Sequence, residues 1–320
     1  MDVRRPDGLD GHLSLLGLAR DLFTDGQGDA HLRAEARLAA TVSARPYVLD
    51  QITTEPPIGS GDLVGEPTVS GFRAVLERVT PEHRAARSPL YQLLDEIPVA
   101  TLVSGQVVGY AQQQLIESSV SLGPPPRRRT QPDPRKTGMA DQCAGWRIGA
   151  TIMDSYDTDG VSPVVRGPVA PTLEDPDDPL GWHEMERLPP LAMRRRRRLD
   201  LARDGKVLVA DAVFRDSHVT DAGAELVIHE YALRAVFEPE HLTVVEIEAD
   251  PRALPWVECP DAARSALRLE GQSAHDLRRW VRAELVGTPT CTHLNDQLRS
   301  LEDVVALAAE LREAEPLSPT

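Results

Sequence analysis

An α+β fold is predicted for this chain: two weakly similar units, each an antiparallel β-meander followed by helices, forming an intramolecular pseudo-dimer. Three observations lead there. Alternating, β-rich segments precede the helical ones in each half, whereas a parallel sheet needs strands and helices to alternate one by one. The same series of parts occurs twice in one order. A length of 320 residues with 41% apolar side chains is enough for two ordinary cores.

The first unit spans residues 1–118. It opens with "ARDLFTDGQGDAHLRAEARLAATV" (Ala19 to Val42), in which a Thr-Asp and glycine turn separates two alternating stretches, a hairpin pattern. "LDQITTEP" (Leu49 to Pro56) adds a further strand, and "LVGEPTVSGFRAVLERV" (Leu63 to Val79) and "SPLYQLLDEI" (Ser88 to Ile97) carry helical spacing. The second unit, 191–320, repeats the order. "FRDSHVTDAGAELVIHEYALRAVF" (Phe214 to Phe237) echoes the hairpin, and "VEIEADP" (Val245 to Pro251) echoes the strand after it. "LEGQSAHDLRRWVRAEL" (Leu269 to Leu285) and "THLNDQLRSL" (Thr292 to Leu301) echo the helices, with Leu294, Leu298 and Leu301 standing where Leu90, Leu94 and Ile97 stand in the first copy. Ser273 and Thr292 are the expected helix N-caps.

The connecting segment, 119–190, is rich in proline and glycine. "GPPPRRRTQPDPRKTG" (Gly123 to Gly138) reads as a mobile loop, because it has too little apolar surface to offset the entropy of ordering it. "DQCAGWRIGATIMDSY" (Asp141 to Tyr156) reads as packed interior, with Cys143 and Trp146 facing a pocket as substrate-binding candidates.

A net charge of −15 argues against duplex nucleic acid as partner, because that affinity rests on neutralising phosphates with Lys and Arg. No basic, apolar leader begins the sequence and no run of about 18 apolar residues occurs, so neither export nor membrane spanning is expected. The cytoplasm is the expected location. Three cysteines, an odd number in a long chain, fit reduced thiols better than a disulfide frame.

Chemistry concentrates in the second unit. Cys291 and His293 form a Cys-x-His corner at a helix start, where unpaired N–H groups favour a thiolate, and Asp296 lies one turn further on the same face, able to orient the ring. The aligned first-copy positions are Arg87 and Pro89, so the unit does not need the thiol and imidazole to fold. The competing reading is a buried small hydrophobe and a capping histidine. In the hairpin, alternation puts Asp216 and His218 on one sheet face with His229, provided Val219 pairs with Ala224. That face offers an acid-base pair or, with His218, His229 and Asp216 as ligands, a 2-His-carboxylate metal site. The plain alternative is a solvated hairpin tip.

"MRRRRRLD" (Met193 to Asp200) reads as a strand, with Arg194, Arg196 and Arg198 facing one way and Arg195 and Arg197 the other. The first row could hold an anionic small-molecule substrate, or it could pair with the chain's own 50 acidic residues. No G-x-S-x-G elbow, dinucleotide fingerprint or P-loop is present, so serine hydrolase, dinucleotide and nucleoside-triphosphate chemistry have no support.

With "DQCAGW", "DDPLGWHE", "MRRRRRLD", "FRDSHV", "HEY", "LPWVECP" and "CTHLND" in this order, the chain resembles a bacterial conserved-domain family of unknown function. The resemblance supplies no reaction. The functional expectation is an enzyme acting on an acidic or acyl-coenzyme A-like small molecule, by hydrolysis or ring opening, through His/Asp acid-base or Cys/His chemistry. A non-catalytic binding or scaffold protein and a metalloprotein are the alternatives. The sequence names no cofactor and no oligomeric state.

Overall fold

The structure is a computed structural model that describes residues 1–119 and 133–314. Most of the proline-rich stretch expected to be a mobile loop, at 120–132, lies outside the described residues. The architecture is α+β. Among the described residues, eight antiparallel strands are hydrogen-bonded in the order β4 (Leu49–Glu55), β3 (Ala30–Val42), β2 (Leu13–Thr24), β1 (Asp2–Arg4), β5 (Met193–Asp204), β6 (Val207–Val219), β7 (Glu225–Glu238) and β8 (Thr243–Ala253). Among the described residues no helix is long and apolar enough to cross a membrane.

Two compact units divide the chain, and neither is contiguous in sequence. The first comprises 1–108, 169–196 and 216–225, and the second 109–168, 197–215 and 226–320. Strands β5 (Met193–Asp204), β6 (Val207–Val219) and β7 (Glu225–Glu238) each contribute residues to both, because these strands are long and the division runs through them.

In the first unit, β1 (Asp2–Arg4), β2 (Leu13–Thr24), β3 (Ala30–Val42) and β4 (Leu49–Glu55) precede the helices α1 (Phe72–Val79), α2 (Pro81–Ala86) and α3 (Pro89–Val103). Alternation works as expected: Leu13 and Leu15 on β2 and Ala36, Leu38, Ala40 and Val42 on β3 are buried. Leu90, Leu94 and Ile97 of α3 are also buried. Gly17 permits the close approach of α3, since a Cβ there would stand 2.9 Å from the Leu93 methyl.

In the second unit, β6, β7 and β8 (Thr243–Ala253) are followed by a 3₁₀ stretch, Cys259–Leu269, and by α7 (Leu277–Glu284), α8 (Thr292–Ser300) and α9 (Val304–Ala314). Helix α4 (Gly105–Ser119) crosses the division, and α5 (Pro134–Thr137) and α6 (Thr151–Asp159) belong to the second unit. One core joins Phe214, Tyr231, Leu233, Ala235 and Phe237 of the strands to Leu277, Val281, Leu294, Leu298 and Leu301 of the helices. Each pair of similar segments seen in the sequence falls on the same kind of element: the β2–β3 and β6–β7 hairpins, strands β4 and β8, helices α1 and α7, and the starts of α3 and α8.

Candidate functional site

The face of β7 that looks into the second unit carries Val227, His229, Tyr231 and Leu233 at a period of two, all buried. The opposing element is α8. Its N-cap is Cys291, in extended conformation (φ −124°, ψ 125°), and Asn295 N–H donates to the Cys291 carbonyl at 2.8 Å to close the first turn. The Asn295 amide also donates to the Leu285 carbonyl (2.7 Å), tying α8 to the end of α7.

Two rungs result between β7 and α8. In the first, the His229 and His293 rings stack with centroids 3.6 Å apart and planes 24° from parallel. Each ring offers a nitrogen, and the two atoms lie within 4.8 Å of one another. In the second, the Tyr231 phenol meets the Cys291 thiol. Tyr231 in turn stacks on Phe214 (centroids 5.9 Å). Sequence spacing explains the pairing of rungs, because a step of two along a strand matches the step from an N-cap to the second helical residue.

The chain's three cysteines gather behind the Tyr231 rung. The Ala144 N–H donates to the Thr290 carbonyl (2.9 Å), which holds the Cys143 loop against the start of α8. A Cβ on Gly145 would come within 3.2 Å of the Cys259 sulfur, so that loop also lies against Cys259. Cys143, Cys259 and Cys291 are all buried free thiols. Burial pushes the Cys291 thiol up to about 11, with the helix-start N–H groups of Leu294 and His293 acting in the opposite direction without cancelling it. The Cys259 thiol is pushed up to about 12, first by burial and then by its Cys291 neighbour. Burial also raises the Tyr231 phenol. The thiolate expected from the helix start is therefore corrected: desolvation outweighs the helix field, and the thiol stays protonated at neutral pH.

Asp296 does not stand open for ring orientation alone. Its carboxylate accepts from Arg197 (2.6 Å) and from Arg299 (3.1 Å). Trp146 is half-buried at the end of its short 3₁₀ turn, and its carbonyl accepts from the Asp141 N–H.

The remaining candidates, Arg198 excepted, belong to the first unit. Asp216, fully buried, accepts two bonds of 2.9 Å from Arg195 Nη1, and Arg195 Nε donates to Glu96. His218 is buried, and desolvation lowers its pKa. Arg194 makes a two-point pair with Asp2 (2.7 and 2.8 Å) and donates to the Glu186 carbonyl. Arg196, half-buried, also lies here, while Arg198 of the second unit pairs with Asp200 at 2.7 Å. Arg194 and Arg198 thus have internal carboxylate partners, the alternative the sequence left open. A cavity of about 390 Å³ in this unit is lined by Leu16, Leu18, Ala39, Arg37, Glu55 and Met185 among others, none of them a sequence-predicted site residue.

Tyr231 and Cys259 were missed as site neighbours. The signal for Tyr231 was its place two residues beyond His229 on the same strand. Cys259 had no local signal. The chain matches no curated protein and no solved structure. Residues 193–307, which carry β5 to β8, both rungs and Cys259, match the family described as "Protein of unknown function (DUF2889)", so this part of the chain is similar to that family.

Proposed function

We propose that the second unit is a cation-dependent enzyme domain, in which His229 and His293 hold a divalent transition-metal ion and the reaction is hydrolysis or ring opening of a small molecule. The single observation carrying this reading is the 3.6 Å stack of two imidazoles brought by separate elements. Imidazole suits zinc and its neighbours. Two nitrogens sharing one ion at about 2.0–2.1 Å stand roughly 3–4 Å apart; the ring nitrogens here lie within 4.8 Å of one another, and the stacked rings reach a shared ion by turning their in-plane lone pairs toward it.

When bound, such an ion supplies a Lewis acid and a water that loses its proton near neutral pH. The chain's own residues do the rest. His229 is fixed by the strand and His293 by the first turn of α8, so the two donors are held before any ion arrives. The neutral Tyr231–Cys291 rung keeps the adjoining wall uncharged, which favours a thiol that packs over one that attacks. The substrate is left as a small molecule: the acidic or acyl-coenzyme A expectation rested on the arginine row, and Arg194 and Arg198 are engaged internally. A cytoplasmic location and the absence of a nucleic-acid partner, expected from composition, remain part of this proposal. An internal duplication, and with it the pseudo-dimer expected from the sequence, is proposed on the echo-by-echo match of elements.

Elemental analysis of purified protein and calorimetric titration with zinc, manganese, iron(II) and cobalt(II) test the reading. The expected result is one ion per chain, bound at least about 100-fold more weakly by His229→Ala or His293→Ala. Wild-type protein that binds none of these ions below millimolar concentration would sink the cation reading and return the pair to proton transfer.

A further inference from the structure

A nine-residue helix carries His293, and something must set how far along its axis that helix sits. The apolar side of α8 does not do this well. Leu294, Leu298 and Leu301 are fully buried and fix its depth, but dispersion contacts are weakly directional and tolerate a slide along the axis. Directional polar bonds resist it. Arg197, on β5, places its guanidinium on three acceptors of α8: Asp296 Oδ2 at 2.6 Å, the Asp296 carbonyl at 3.1 Å and Ser300 Oγ at 2.7 Å.

The acceptors have a meaningful spacing. His293, Asp296 and Ser300 stand at i, i+3 and i+7, one stripe of the helix. The grip of β5 therefore falls on the same stripe that presents His293 to His229. Arg197, Asp296 and Ser300 are nearly buried, so these charge-assisted bonds act with little water to compete.

We infer that Arg197 is a positioning residue: through Asp296 and Ser300 it sets the axial position of α8, and so the His229–His293 spacing needed to hold a cation. This rests on the cation reading above. It predicts that the forked guanidinium matters, not the positive charge alone, because a lysine ammonium cannot reproduce the flat fork that spans the helical turn from Asp296 to Ser300.

The test is cobalt(II) titration of the full chain, followed by the visible ligand-field bands, at a temperature where circular dichroism shows each variant folded. Arg197→Lys is expected to bind cobalt about 10–100-fold more weakly than wild type, with shifted bands. Ser300→Ala, which removes one acceptor and leaves the ion pair, should fold in any case and lose affinity in the same direction by a few-fold. Asp303→Asn removes a different, half-buried ion-pair partner in the same unit, the carboxylate that Arg278 holds at 2.7 and 2.8 Å, and should match wild type in affinity and spectrum. Wild-type affinity and bands in both Arg197→Lys and Ser300→Ala would overturn the inference while leaving the cation reading intact. Equal weakening in Asp303→Asn would also overturn it, since any loss of stability would then suffice. Failure of wild type to bind cobalt would remove the cation reading and this inference with it.

Discussion

At the residue scale the decisive quantity is desolvation. Cys291 sits where a helix start pulls a thiol toward ionisation, yet burial moves it the other way, up to about 11, and Cys259 up to about 12. Both are acids whose folded pKa lies above the unfolded value near 9.0. The native state therefore keeps protons the unfolded chain releases, so the contribution to stability is whole below pH 9 and is lost as pH rises through 11 to 12. Each thiol should add a slope of about 1.4 kcal/mol per pH unit in that window. Urea unfolding at stepped pH should show stability falling above pH 9, and Cys291→Ala should flatten the fall. An unchanged slope in that variant would contradict the assignment. Asp216 makes the complementary case. Changing it to Asn strips a buried guanidinium of one carboxylate and should lower stability by about 3–5 kcal/mol in equilibrium denaturation, whereas an exposed pair such as Arg234–Asp211 should be worth less than about 1 kcal/mol.

At the element scale, β7 is held in place by more than its neighbouring strands. The Val227 N–H donates to the Pro168 carbonyl (2.9 Å), and a Cβ on the preceding Gly167 would stand 1.6 Å from the Val227 carbonyl oxygen. No side chain fits there without moving backbone. Gly167→Ala should therefore lift the 161–168 segment off β7 two residues before His229, at about 3 kcal/mol or more, and weaken cation binding in the same titration. Ala at Gly149, where nothing lies within 4 Å, is the contrasting substitution; its penalty should reflect the positive φ alone, with cation binding unchanged. How much of this was legible in the sequence follows from which forces are local. The hairpins, strand alternation and the helix from Thr292 were readable because side-chain period and turn chemistry are set by neighbours in the chain. The expected parity of the second hairpin appears in the second unit as the Phe214–Tyr231 stack and the Arg215–Glu230 pair. His229 and His293 were singled out because rare imidazoles stood beside a turn and at a helix start. The partners of Arg194, the thiol environment of Cys291 and the closeness of Cys259 were not readable. Asp2 lies 192 positions from Arg194, and no local pattern reports a contact at that range.

At the scale of the whole molecule, the proposed cation must be separated from the general attraction of an acidic protein for metal ions. With 50 acidic residues and a net charge of −15, the surface gathers divalent cations loosely, and any of them can screen repulsion between exposed carboxylates. A site acts differently. It stabilises only through the folded state that holds it, by about 2.7 kcal/mol at a free ion concentration of 100 times Kd. For a cooperative unit of this size that corresponds to a rise in Tm of about 5–10 °C. Scanning calorimetry should show that rise with zinc in the transition that melts the second unit, and should show it abolished in His229→Ala and in His293→Ala. Magnesium at matched ionic strength supplies the same screening without a preference for imidazole, so it should move wild type and both variants equally and little. If zinc and magnesium shift all three proteins alike, the stabilisation belongs to the acidic surface, and the stacked histidines hold no ion.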